Sequence, residues 1–305
     1  TGISHLFEHM MFNGAKRYGP KEFDRVLESR GGTSNAYTSN DVTAYYEDFA
    51  SDALDVVIDL ESDRMGGLAL TPETLQQERE VVKEERRLRT DNSIFGLMEE
   101  QLESLAFLAH PYRWPVIGWM SDIERITRED CLAYWKTYYA PNNAVIYAVG
   151  DIDTDETLKL IEKHYGEIPG GPPTPEVATG EPPQYGQRRS TVRYPAQATA
   201  VLLGWRAPPA KSPDTAPLDV LQICLGSGES SRLKRRLVQQ EELAVGVSCG
   251  WGWRLDPGVF MIFAELSPKA KSIAQAERSI YDELAKISAK GVTAQELGRA
   301  KRVLR

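Results

Sequence analysis

The stretch Ile168-Pro169-Gly170-Gly171-Pro172-Pro173-Thr174-Pro175 limits this chain more than any other. Each proline removes a backbone donor and fixes φ, so neither a regular helix nor an inner strand runs through it. The same Pro, Gly and polar character continues to residue 189. Residues 169–189 therefore read as a semi-rigid linker. A chain of 305 residues with 41% apolar content is long enough for a core on each side of it. The expected division is a first domain over 1–168 and a second over 190–305.

The first half alternates helical and extended patterns. Helices are expected over Gly2–Phe12, stopped by Asn13-Gly14, and over Pro20–Ser29. Thr33–Ser39 and Val42–Phe49 read as two strands joined at Asn40-Asp41. Long helices follow at about 51–66, 72–90, 92–108 and 128–139. Ala144–Val149 reads as a buried strand, and a helix covers 153–165. The second half repeats this rhythm. Helices at Leu218–Gly228 and Ser230–Glu242 lead to strands at 245–252 and Val259–Leu266, then to a helix over Ala270–Ile287. Val292-Thr293-Ala294-Gln295-Glu296-Leu297 echoes Leu70-Thr71-Pro72-Glu73-Thr74-Leu75, which suggests a weak internal duplication. The chain opens on a helix without Met and stops inside the pattern Thr293–Arg305, so it reads as a piece of a longer protein.

Composition removes several classes. The formal net charge of −8 speaks against phosphate-backbone binding, so no nucleic-acid partner is expected. No apolar run approaches the ~20 residues that span a bilayer. The three cysteines, Cys131, Cys224 and Cys249, lie far apart and form no disulfide framework or CxxC pair.

Chemistry concentrates near the start. The chain has only four histidines, and two of them stand at i and i+4 in His5-Leu6-Phe7-Glu8-His9. That spacing places both imidazoles on one helix face, close enough to share a metal ion. Glu8 precedes the second histidine. A carboxylate there reaches a metal-bound water without having to ligate the metal, as a general base requires. The order H-x-x-E-H is the inverse of H-E-x-x-H. A catalytic zinc needs a third protein ligand and one open position. Glu78 and Glu85, seven residues apart, share a face of the expected helix 72–90. One of them supplies the ligand and the other holds a histidine or water, and spacing does not say which. Glu80 and Glu84 read as a solvated face paired with nearby basic residues. His110, before a proline, and His164, at a helix end, have no partner at ligand spacing and read as structural.

These segments together resemble the insulinase/pitrilysin-like zinc metallopeptidases. The resemblance is carried by His5-Leu6-Phe7-Glu8-His9-Met10-Met11-Phe12-Asn13-Gly14, Asn35-Ala36-Tyr37-Thr38-Ser39-Asn40-Asp41 and Glu61-Ser62-Asp63-Arg64-Met65. It continues through Glu78-Arg79-Glu80-Val81-Val82-Lys83-Glu84-Glu85, His110-Pro111-Tyr112 and Ser231-Arg232-Leu233. The 76 positions between His9 and Glu85 suit that family's pattern. The resemblance implies an α+β fold of two similar domains, each a mostly antiparallel sheet backed by helices. It implies one Zn2+ per chain, held by His5, His9 and Glu85. Glu8 becomes the general base, and Glu78 an acidic residue that supports the site without binding zinc. It places a peptide substrate as an added strand along the edge Asn35 to Thr38, with Asn35 and Ala36 as the binding residues. The implied activity is endopeptidase cleavage of short or unfolded peptides, by attack of a zinc-bound water.

The second half carries no metal set: the positions answering His5, Glu8 and His9 are Asp219, Gln222 and Ile223. Active members of the family also use an Arg and a Tyr, seven positions apart, to grip substrate and stabilise the oxyanion. Here those positions hold Val238 and Val245, which donate no hydrogen bond. The chain is similar to the zinc-bearing subunit of short-chain heterodimeric members. The expected partner is a related subunit that brings the Arg/Tyr pair, or a second copy in a homodimer. Two rival readings stand beside this one. A noncatalytic scaffold subunit of the same family would have lost the metal motif. A structural zinc site would be closed by four ligands, often cysteines.

Overall fold

The computed structural model describes all 305 residues. In chain order, the first elements are α1 (Ile3–Met10), α2 (Glu22–Glu28), β1 (Thr33–Thr38), β2 (Thr43–Asp48), α3 (Leu54–Gly67), α4 (Pro72–Arg86), α5 (Ile94–Ala106), α6 (Met120–Ile123), α7 (Arg128–Tyr138) and α8 (Thr154–Tyr165). Then come β3 (Ala200–Arg206), α9 (Thr215–Gly226), β4 (Ala244–Trp251), β5 (Val259–Leu266), α10 (Ile273–Lys290) and α11 (Ala294–Val303). The fold class is α+β, with small antiparallel sheets among helices, as expected.

The chain separates into two compact units. The first comprises Thr1–Arg89 and Trp114–Gly180, and the second Thr90–Arg113 and Glu181–Arg305. The sequence division at the linker differs in one respect: Thr90–Arg113, with α5, groups with the second half. The linker is also not free along its length. The Glu181 carboxylate accepts the backbone N–H groups of Leu108, Ala109 and His110 at 2.7–2.9 Å, and Arg188 donates to the Leu105 carbonyl at 2.6 Å.

In the first unit, β1 and β2 form an antiparallel hairpin, paired from Thr33↔Asp48 to Thr38↔Thr43. Its turn closes where Asn40-Asp41 predicted, with Ser39 N–H donating to the Val42 carbonyl at 2.8 Å. Leu6, Phe7 and Met10 of α1 are fully buried in one cluster with Leu68, Leu75, Val82, Ile123 and Cys131. The start of α1 is tightly fitted. Gly2 has φ +80, and a Cβ there would meet the Ile117 carbonyl oxygen at 2.7 Å, so this turn demands glycine. Helix α4 starts on a Thr71 capping box with Pro72 in its first turn, and it buries Leu75 and Val82. The expected helix 72–90 gives way at Arg87 to a wider π turn over Arg87–Asp91.

One predicted strand is corrected. Ala144–Val149 has no ladder partner, and Val145, Tyr147 and Val149 are 74%, 85% and 93% exposed. Its β-branched and aromatic composition gives strand propensity. A strand forms only where a neighbour takes its backbone hydrogen bonds, and none stands alongside this run.

The second unit has a three-stranded antiparallel sheet in the order β3-β5-β4. Strand β3 was not anticipated. Ile262, Ala264, Leu237, Ala276 and Ile280, all fully buried, form the centre of its core. From α9 onward this unit repeats the order of the first: helix, helical segment (here the π turn Lys234–Gln240), two hairpin-paired strands, two helices. Both closing helices begin on a Thr capping box, Thr71 in α4 and Thr293 in α11.

Candidate metal centre

Helix α1 presents His5, Glu8 and His9 beside its buried stripe, and α4 presents Glu78 and Glu85 one heptad apart. The two helices pack together, and their polar faces meet. The imidazole rings of His5 and His9 lie 4.9 Å apart, inclined at 68°. Glu85 Oε2 is 3.6 Å from His5 Nε2 and 3.3 Å from His9 Nε2. His5, His9 and Glu85 are the one group in the chain whose donor atoms gather like metal ligands, all within 4.8 Å. These spacings suit a shared ion better than hydrogen bonds. Two ligand atoms each about 2.0–2.2 Å from a tetrahedral ion stand roughly 3.3–3.6 Å apart, whereas 3.6 Å is too long for a hydrogen bond. Two imidazole nitrogens and a carboxylate oxygen also match the donor chemistry of a catalytic zinc site. The residues present therefore fit the group that the motif implies.

Spacing left Glu78 and Glu85 equivalent, and geometry separates them. Glu85 faces both histidines. Glu78 meets only His9, at 3.4 Å and on the opposite ring nitrogen, Nδ1. A carboxylate in that place orients an imidazole and leaves its other nitrogen free for a metal. Asn13 tightens the corner by donating to the His9 carbonyl at 3.1 Å and bonding Glu78. Arg89 pairs with the far oxygen of Glu85 at 2.6 Å.

The two histidines carry different charge. Burial pushes His5 down to about 4, with Glu85 opposing, so His5 is neutral at pH 7. Burial opposes charge at His9 as well, but the Glu78 and Glu85 carboxylates beside its ring outweigh it and raise His9 to about 9. The same pairing holds both carboxylates below their ordinary range: at Glu78 it overcomes burial, and at Glu85 His9 is the largest influence.

Glu8 is not among the clustered donors. Its Oε2 accepts a hydrogen bond from the Thr38 hydroxyl at the end of β1. Asn35 and Ala36 lie on that same strand, paired with Tyr46 and Tyr45, and the edge of β1 away from β2 carries no strand. The Ala36 N–H is held by the Asn35 side chain at 2.8 Å. Glu80 and Glu84 are exposed and paired with Lys83 and Arg87, as expected of a solvated face.

The other histidines stand away from the cluster. His110 Nδ1 accepts from the Tyr112 N–H at 3.2 Å, so Nε2 carries the proton and donates to Asp256 at 3.1 Å. His164 bridges Asp55 and Asp59 at 2.8 and 2.9 Å. Cys131 sits in the apolar cluster under α1, its thiol pushed up to about 11 by burial, and no cysteine joins the donor group. Sequence reasoning placed Thr38 only at the end of the substrate edge, missed its bond to Glu8, and left Arg64 without a role. Arg64 is buried, stacks against Phe12, Phe23 and Tyr45 at 4.5–5.3 Å, and pairs with Glu47 and Glu61, tying β2 to α3 beside the site.

The chain is similar to known proteins along its whole length. Residues 1–118 match the family model described as insulinase (peptidase family M16), and residues 125–304 match the peptidase M16 inactive domain. The zinc protease PqqE of Helicobacter pylori is 35% identical over 99% of this chain and 68% of its own length. A probable mitochondrial-processing peptidase subunit beta of Schizosaccharomyces pombe is 28% identical over 80% of this chain and 56% of its own length. Among solved structures, a protease from Helicobacter pylori superposes with a TM-score of 0.95 at 34% identity, covering 100% of this chain and 74% of that one. An M16 inactive domain from Pseudomonas fluorescens shares the fold, with a TM-score of 0.86 at 21% identity over 99% of this chain and 73% of that one. The chain belongs to the M16, or insulinase, family of peptidases.

Proposed function

We propose that this chain is a zinc-dependent endopeptidase acting on short or unfolded peptides. The observation that carries this is the convergence of His5 Nε2, His9 Nε2 and Glu85 Oε2, with Glu8 on the same helix as the two histidines and outside the donor group. Three protein ligands leave a position open for chemistry, unlike the four that close a structural site. Zinc bound there supplies Lewis-acid polarisation of the scissile carbonyl and makes a water acidic enough to lose a proton near neutral pH. Glu8 takes the proton from the attacking water and returns it to the leaving amine. Glu78 fixes the His9 ring through Nδ1. The open edge of β1 receives an extended peptide by main-chain bonding, with Ala36 N–H released from the Asn35 side chain. A folded protein offers no such free strand, which argues for short or unfolded substrates.

The test is cleavage of an unstructured fluorogenic peptide, with and without zinc. Glu8→Gln should keep zinc and lose roughly 10²–10⁴-fold in kcat, the usual share of a general base. A wild-type protein that binds no zinc would sink the proposal in favour of the scaffold reading.

A further inference from the structure

The Thr38 hydroxyl at Glu8 is the end of a longer series. Thr38 and Thr43 stand directly opposite across the hairpin, with their hydroxyl oxygens 3.1 Å apart. The Tyr139 hydroxyl at the end of α7 is influenced by the Thr43 side chain and shares a bond of 2.7 Å with Tyr45. Aromatic packing holds the series in place. The Tyr139 ring lies 4.6 Å from Phe7, the residue before Glu8, and 6.3 Å from the Tyr45 ring. Burial pushes the ionisation of both tyrosines far up, so both remain donors.

Counting protons gives this series a direction. An ionised carboxylate only accepts, and each hydroxyl has one proton to give. Thr38 gives its proton to Glu8 and must accept from Thr43. Thr43 therefore spends its one proton on Thr38. Both threonine O–H dipoles then point their positive ends toward Glu8. A series aligned this way is stronger than its separate bonds.

We propose that Thr38 is a positioning residue for Glu8, and that the hydroxyl series behind it immobilises Oε2 and leaves Oε1 as the oxygen that takes and returns the proton. This rests on the peptidase reading above. It also fixes the base relative to β1, the strand proposed to receive substrate.

Thr38→Val keeps the side-chain shape and removes the donor. In the zinc-loaded full chain, kcat should fall roughly 10- to 100-fold, the worth of one hydrogen bond to a charged group. Zinc content and KM should match wild type, and Thr38→Ser should recover most of the loss. Thr43→Val, which breaks the series one link away, should lower kcat in the same direction by less. A Thr38→Val enzyme with wild-type kcat, or with a loss only in proportion to its zinc or folded fraction, overturns the inference. Crystal structures of the zinc-free variants give a readout independent of activity. Glu8 should leave its present position in Thr38→Val and keep it in Thr38→Ser, and an unmoved Glu8 in Thr38→Val also overturns the proposal. Failure of the wild type to cleave any peptide counts against the peptidase reading, and the structural comparison still decides the role of Thr38.

Discussion

Glu78 and Glu85 carry the same functional group on one face of α4, and their different neighbours give them different work. Glu85 reaches the nitrogens of both histidines that converge, whereas Glu78 reaches only the outward nitrogen of His9. Losing a ligand and losing an orienting partner should therefore separate in a zinc titration. Glu85→Gln is expected to abolish stoichiometric zinc. Glu78→Gln should still bind it, with affinity lowered about 10- to 100-fold, the usual cost of removing an outer partner. Equal zinc affinity in the two variants would remove the distinction. The His5/His9 pair was legible in sequence because i,i+4 spacing is a property of one helix. The division of labour between two carboxylates was not, since it depends on how α1 and α4 meet. The bond from Thr38 to Glu8 was invisible for the same reason. A threonine in a strand is ordinary until its neighbour is known to be Glu8.

At the level of elements, helices were easier to anticipate than strands. Capping and apolar periodicity are local, so Thr71-Pro72 announced the start of α4 correctly. A strand depends on a partner elsewhere. Ala144–Val149 had the composition and lacked the partner, while Ala200–Arg206 pairs with Val259–Leu266 and was passed over beside a Pro-rich stretch. The linker holds a comparable lesson. Its composition predicted a spacer, yet Glu181 collects three N–H groups of the 108–110 loop and faces Arg206 at 2.9 Å. Burial works against its charge, but those N–H groups outweigh it and hold the carboxyl down at about 2. The folded state thus keeps Glu181 ionised where the unfolded chain would protonate it. Its stabilising contribution is complete above the ordinary carboxylate value. It is lost as pH falls from about 4.5 through about 2. Glu181→Gln should cost roughly 1–2 kcal/mol at pH 7, the worth of charge-assisted hydrogen bonds. It should also flatten the fall in unfolding midpoint between pH 5 and 3. A denaturation series across that range checks both; an unchanged acid limb would remove Glu181 from the explanation.

For the whole molecule, two units share an order of elements and only one has metal donors. In the second, α9 stands where α1 stands in the first. Asp219 there is engaged by the indole N–H groups of Trp251 and Trp253 at 3.1 and 3.2 Å, and Ile223 is buried in an apolar cluster. Ile223 has no donor atom, and Asp219 joins no group of metal-ligating side chains. Val238 packs half-buried on the core and Val245 stands 56% exposed on β4, so neither supplies a donor for a developing oxyanion. An acyl-transfer site without such donors loses on the order of 10²–10³ in rate. If His5, His9 and Glu85 hold zinc as proposed, a second chain would have to bring these donors. The zinc-loaded chain alone should therefore cleave an unstructured peptide slowly. Adding a related chain that carries Arg and Tyr at the positions of Val238 and Val245 should raise kcat by about that factor without changing zinc content. If the donors come from a partner, the increase should follow the second chain's concentration and saturate at one partner per zinc. Full activity of the isolated chain, at all concentrations, would mean that its own residues stabilise the oxyanion and that no second subunit is needed.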